Sequence, residues 1–245
     1  MQKYNKIYFL HIPKTGGRFF TEYILKPIEE VLKKNNIEII QLPPNVSKHG
    51  GWHKEIDDQT YIVSIFREPS EFFISVIAHM LADQANMIDP DKDHIIKDNT
   101  KILDISKDLV HKKIEELHYL DNFQSQNFIL SPTQTHIIQE SMKAHRDNKG
   151  FDEDLVNQRA KRVNLMMRHK DFKSMDYSLL IKKIFLDLGI EENVELKEVN
   201  REHYKNNSSE NLFNKLNNED IQAIHNKFLF DKNIYEDDSL FWAAK

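Results

Sequence analysis

The stretch HIPKTGGRFF, residues 11–20, places a lysine, a threonine and two adjacent glycines directly after an apolar run. Glycines let the backbone approach a ligand closely, and N–H groups at a helix start attract anions. The P-loop order G-x-x-x-x-G-K-[ST] puts its lysine after the glycines. Here Lys14 precedes Gly16 and Gly17, and Arg18 follows them, which counts against an ATP loop. A second set lies in IFREPSEFFIS, residues 65–75, where Arg67 leaves an apolar run, Pro69 turns the chain and Ser75 follows. A guanidinium presents a fork of donors suited to phosphate. Together the two sets imply a ligand with two separated anionic groups. A third set, SKHGGWHKEI at 47–56, carries His49, His53 and Glu55 beside Trp52. An imidazole suits general-base work near neutral pH, and the indole could stack on a sugar ring. A metal pair from H-x-x-x-H needs a helix; Gly50-Gly51 and the lack of a third ligand argue against a metal.

These residues need elements to hold them. KIYFLH (6–11), IEIIQL (37–42) and YIVSIF (61–66) read as short buried strands. Between the first two, Phe20, Tyr23, Ile24, Ile28, Val31 and Leu32 recur at helical spacing, with Pro27 as a kink. After the third, Phe72, Phe73, Val76, Ile77, Met80 and Leu81 share a helical face. Strand–loop–helix alternation predicts an α/β fold, a central parallel sheet flanked by helices, with ligands at the carboxyl ends of the strands. Residues 83–106 are polar and predict a surface excursion. Helices are expected near 107–120, 152–168 and 176–188, the last closed by Gly189. A loop follows at 206–218, then a final helix with Ile221, Ile224 and Phe228. The whole, 1–245, reads as one domain with a helix-rich C-terminal half.

Composition narrows the class. The net charge of −5 gives no global attraction for nucleic acid or an anionic membrane. No run approaches the roughly 20 apolar residues that span a bilayer. The chain has no cysteine, which excludes a disulfide scaffold and a thiol nucleophile and fits a reducing compartment. A cytoplasmic protein is expected. His11 and His79 read as packed residues, and Arg159, Arg162 and Arg168 as a solvated basic helix edge. Asn200, Arg201 and Lys205 lie in a polar segment that could close over a nucleotide.

H-I-P-K-T-G-G after a first strand and R-x-P-x(5)-S after a later one resemble the sulfotransferases that use 3′-phosphoadenylyl sulfate (PAPS). The likeness is to the carbohydrate group related to heparan-sulfate 2-O-sulfotransferase and its bacterial relatives. DNFQSQNFIL at 121–130, residues 171–190 and FDKNIYEDD at 230–238 are similar to later segments of the bacterial members. The resemblance implies a P-loop-NTPase-like fold and sulfonate transfer from PAPS to a hydroxyl, on a sugar or glycoconjugate, leaving 3′-phosphoadenosine 5′-phosphate (PAP), with no metal. It implies that Lys14, Thr15, Gly16 and Gly17 hold the 5′-phosphosulfate, where Arg18 would put a charged donor in place of a neutral one, that Arg67 and Ser75 hold the 3′-phosphate, and that the base is a histidine between the motifs. His49 and His53 stay open for that role, with Glu55 as the fallback. Family members carry Thr and Ser where this chain has Arg18 and Phe19. That departure keeps a second class open, a PAP- or nucleotide-binding module without turnover; an ATP-dependent kinase is the third.

Overall fold

The computed structural model describes residues 3–40, 51–84, 88–89, 95–96, 107–117, 121–130, 151–192, 194 and 212–243. Four strands build the central sheet: β1 (Lys6–Leu10), β2 (Glu38–Ile39), β3 (Thr60–Phe66) and β6 (Leu165–Arg168). Their order is β2-β1-β3-β6, and every pairing is parallel. All seven residues of β3 are buried, as an internal strand covered on both faces requires.

The chain leaves β1 through the glycine loop into a continuous helical run: α1 (Gly17–Phe20), a π-helical turn (Thr21–Leu25) and α2 (Lys26–Lys34). Pro27 stands at the start of α2. It has no N–H, and its ring would collide with the carbonyl four residues back. The widened π turn takes up that mismatch, so the expected kink is a local unwinding. From β3 the chain enters α3 (Pro69–Gln84). A two-strand antiparallel pair, β4 (Ile88–Asp89) with β5 (Ile95–Ile96), lies within the polar excursion. Then come α4 (Lys107–Glu116), α5 (Phe123–Gln126) and α6 (Glu153–Arg162) before β6. After β6 follow α7 (His169–Ser174), α8 (Tyr177–Leu188), α9 (Asn218–Lys227) and α10 (Leu229–Glu236).

Strand alternation sorts the core onto two faces. Ile7, Phe9, Tyr61, Val63, Ile65, Leu165 and Met167 pack against α1, α2, α7 and α8. Tyr8, Leu10, Ile62, Phe66 and Met166 pack against Phe128, α6 and α10. A third apolar cluster joins α3, α4, α5 and α9. Gly189 closes α8 in the left-handed region (φ 73°), as its spacing predicts. No helix among the described residues is long and apolar enough to cross a membrane.

Three expectations need correction. Leu165, Met166 and Met167 do not continue a helix to 168; α6 ends at Arg162 and these residues form the fourth strand. The three arginines are not one solvated helix edge. Arg159 Nη1 donates to Phe128 O at 2.7 Å, Arg162 Nη2 donates to Asp57 O at 2.7 Å, and Arg168, on β6, donates to Tyr235 O and pairs with Asp238 at 2.6 Å. Phe228 does not belong to a single last helix: its backbone (φ −110°, ψ 37°) breaks the run between α9 and α10.

Candidate functional site

Loops leave the carboxyl ends of neighbouring strands β1 and β3 and meet. Two residues of the first loop adopt left-handed backbone, Lys14 at φ 62° and Gly16 at φ 91°. For lysine this conformation costs about 1–2 kcal/mol, a strain typical of ligand-holding turns. Gly16 caps α1 with no side-chain acceptor, and no acidic residue occupies the first turn. The helix start therefore keeps its positive end toward the loop. Gly17 is obligatory for a different reason: a Cβ there would lie 1.8 Å from Cδ2 of the buried His11, whose ring stacks on Phe9. His11 thus shapes the loop by packing.

The hydroxyls near the loop are turned to structural use. Thr15, fully buried, donates to Ile12 O at 2.7 Å, and Thr21 donates to Gly17 O at 3.0 Å. Any contact from Thr15 to a ligand would have to come from its backbone. Arg18 is half-buried. Phe19 points into the core, against Tyr23, Phe172 and Tyr177 with ring centroids 4.8, 5.7 and 5.1 Å away. It fills no position on the anion side of the loop.

Arg67 is the first residue past β3, and it closes on the glycine loop. Its Nη1 donates to Lys14 O at 3.1 Å, and its Nε faces Glu71 Oε2 at 3.4 Å. A guanidinium has five N–H donors, so after these two, three have no partner among the described residues. Gln124 clamps the Arg67 backbone from behind, accepting its N–H and donating to its carbonyl, both at 2.8 Å. Gln124 belongs to α5, whose N-terminus is capped by Asp231: the carboxylate accepts the N–H groups of Gln124 (3.1 Å) and Ser125 (2.8 Å) and the Ser125 hydroxyl. Asn122 reciprocates, accepting the N–H groups of Phe230 and Asp231 at the start of α10. The segments DNFQSQNFIL and FDKNIYEDD therefore touch one another, and together they brace Arg67. Burial pushes the Asp231 carboxyl up to about 7, its three hydrogen bonds pulling the other way.

Glu68 starts α3 by accepting the Glu71 N–H at 2.8 Å, and it pairs with His225 of α9 at 2.6 Å. Ser75 sits two turns into α3 and is buried. The two motifs thus meet through Arg67, which contacts the Lys14 backbone.

Charge at this site is unbalanced. The Lys14 ammonium has no hydrogen-bond or ion-pair partner among the described residues. Desolvation, and then the Arg67 charge, lower its pKa from 10.5 to about 8. Arg67 is itself depressed by burial, with Glu71 opposing. An anion placed between them would relieve both.

His53 is buried beside Tyr8, ring centroids 5.9 Å apart, and its Nδ1 accepts the Glu55 N–H at 3.2 Å. Trp52 carries the Arg159 guanidinium 4.8 Å over its ring. His49, Asn200, Arg201 and Lys205 lie outside the described residues.

One residue that sequence reasoning passed over stands at the loop. His169 is the first residue of α7, immediately past β6, as His11 and Arg67 stand immediately past β1 and β3. A Cβ on Gly16 would meet its ring at 3.4 Å. The signal available in the sequence was positional only, a polar residue ending a strand, and it was hidden because β6 was read as helix. Comparison with protein-family models, curated proteins and solved structures returned no match for this chain.

Proposed function

We propose that this chain is a PAPS-dependent sulfotransferase, moving a sulfonate to a hydroxyl acceptor on a sugar or glycoconjugate in a cytoplasmic setting. The observation that carries the reading is the convergence of Lys14 and Arg67 on an uncapped glycine loop, with the Lys14 amine lacking a counter-charge among the described residues. A desolvated cation pair costs stability until an anion arrives. That arrangement suits a site that binds phosphate and sulfonate groups, and its place at adjacent parallel strand ends is where α/β folds bind nucleotides.

In this reading sulfonate transfer is an in-line displacement governed by positioning and charge neutralisation. With a pKa of about 8, Lys14 is roughly nine-tenths protonated at pH 7, and a bound anion raises that fraction. Its ammonium then stabilises the negative charge returning to the leaving phosphate. The remaining donors of Arg67, with Ser75 of α3 assigned by the resemblance, recognise the 3′-phosphate that separates PAP from AMP.

A second reading, binding without turnover, is favoured by one observation: the candidate base His53 already uses Nδ1 in a turn with Glu55. It predicts PAP affinity with no release of PAP from PAPS.

The test is thermal stabilisation by PAP, AMP, ADP and ATP–Mg at equal concentrations. A ligand at 100 times its dissociation constant adds roughly 2.7 kcal/mol. The expected order is PAP above AMP, with the preference abolished in Arg67→Ala. Preference for ATP–Mg would point to phosphoryl transfer, and no response to any of the four would overturn the proposal.

A further inference from the structure

His53, the candidate base among the described residues, already spends Nδ1 on the Glu55 N–H. His169 offers another candidate. Its side chain is nine-tenths buried, and Nδ1 has no hydrogen-bond partner among the described residues, an unusual state for a buried imidazole. That nitrogen faces Glu71 Oε2 across 3.9 Å, too long for a hydrogen bond but within range of a small movement. The opposite edge, Cδ2 and Nε2, lies against Gly16, 3.4 and 3.7 Å from where a Cβ would stand. A carboxylate at one ring nitrogen and the reacting group at the other is the arrangement that orients an imidazole for proton transfer.

We propose, resting on the sulfotransferase reading above, that His169 is the catalytic base of this site and Glu71 its positioning residue. In the step, the acceptor oxygen forms a bond to sulfur while the sulfur–oxygen bond to the 5′-phosphate breaks. The acceptor proton passes to Nε2 of His169, and the bond's electron pair leaves with PAP. The charged groups facing the imidazole are Arg67 at the end of β3, Glu71 on α3 and Lys173 on α7. Burial, then the two cations, hold the ring neutral, well below the usual histidine range. It is therefore deprotonated and able to accept a proton throughout the neutral range, but weak as a base in the free protein. An anionic donor beside Arg67 offsets that cation and strengthens the base only when the donor is bound. Glu71 has a second partner, Arg67 at 3.4 Å; a phosphate that takes over the guanidinium frees the carboxylate to close on Nδ1.

The acceptor need not be known to test this. Release of PAP from PAPS with water as acceptor uses the same base, and PAP affinity reports the site separately. His169→Gln is expected to lower PAP release about 100-fold and to flatten the acid limb of its pH profile, with the PAP dissociation constant changed less than threefold. Glu71→Gln is expected to keep PAP binding and to shift that acid limb to lower pH, since the carboxylate no longer supports the imidazolium. Retained PAP release with an unchanged pH profile in His169→Gln overturns the proposal and leaves the binding site standing. Loss of PAP affinity together with release makes His169 a wall of the site, not its base. Failure of the wild-type chain to bind PAP is a separate result that removes the sulfotransferase reading itself.

Discussion

Cations stand at both ends of the central sheet, and the two ends treat them oppositely. At the amino ends of the strands, Lys6 meets Asp57 at 2.6 Å, and its pKa rises through that hydrogen bond. Arg162 nearby donates to Asp57 O, Thr60 O and Asn164 Oδ1. These cations complete the structure: each tethers the loop that feeds β3. At the carboxyl ends, Lys14 is pushed down to about 8 and Arg67 is depressed by burial. Those cations hold the fold at a cost. At the amino ends the lysine has a carboxylate partner, whereas the Lys14 ammonium at the carboxyl ends has none among the described residues and Arg67 meets Glu71 only at 3.4 Å. For the two lysines the pKa shifts run in opposite directions, which makes the distinction measurable.

The contrast yields an ordered set of expectations. Gly17→Ala should have the largest effect, because the new methyl would lie 1.8 Å from the His11 ring and force the loop open. PAP binding should fall below detection by calorimetry, with about 1–3 kcal/mol lost in urea denaturation. Arg67→Ala comes next, weakening PAP by about 100-fold through loss of charge-assisted hydrogen bonds; an affinity unchanged in this variant would erase the distinction between the two ends.

Lys14→Met should weaken PAP by about 30-fold while making the ligand-free protein more stable at neutral pH. The sign follows from linkage. Between about pH 8 and 10.5 the folded chain has released the Lys14 proton while the unfolded chain still holds it. Stability attributable to this group therefore rises across that window, by up to about 3 kcal/mol. The difference between wild-type and Lys14→Met denaturation curves at pH 7.5 and 10 isolates it. Lys6→Met, at the other end, should leave PAP affinity within twofold and lower the melting temperature slightly, more so at low salt. A fall in PAP affinity there would sharpen the comparison into a longer-range coupling.

Much of the frame was legible because it rests on local patterns. Apolar runs gave β1 and β3, helical spacing gave α3 and α8, and Gly189 marked an end. The glycine loop and Arg67 were visible as residue types out of place after a buried strand. What escaped was long-range. A four-residue strand buried on both faces has no periodicity to separate it from the helix before it, so β6 was missed and His169 with it. Gln124 and Asp231 looked like members of similar segments, but their hydrogen bonds span 57 and 106–107 positions of sequence. Nothing in spacing reveals that they meet. Arginines that looked solvated found carbonyls contributed by distant loops for the same reason.

The most direct measurement is calorimetric titration of PAP at pH 8 in two buffers of different ionisation enthalpy. With Lys14 near half-protonated at that pH, anion binding should draw in about half a proton per PAP bound. The uptake should disappear in Lys14→Met. PAP binding with no proton uptake, or no PAP binding at all, would contradict a cation held uncompensated for a phosphate.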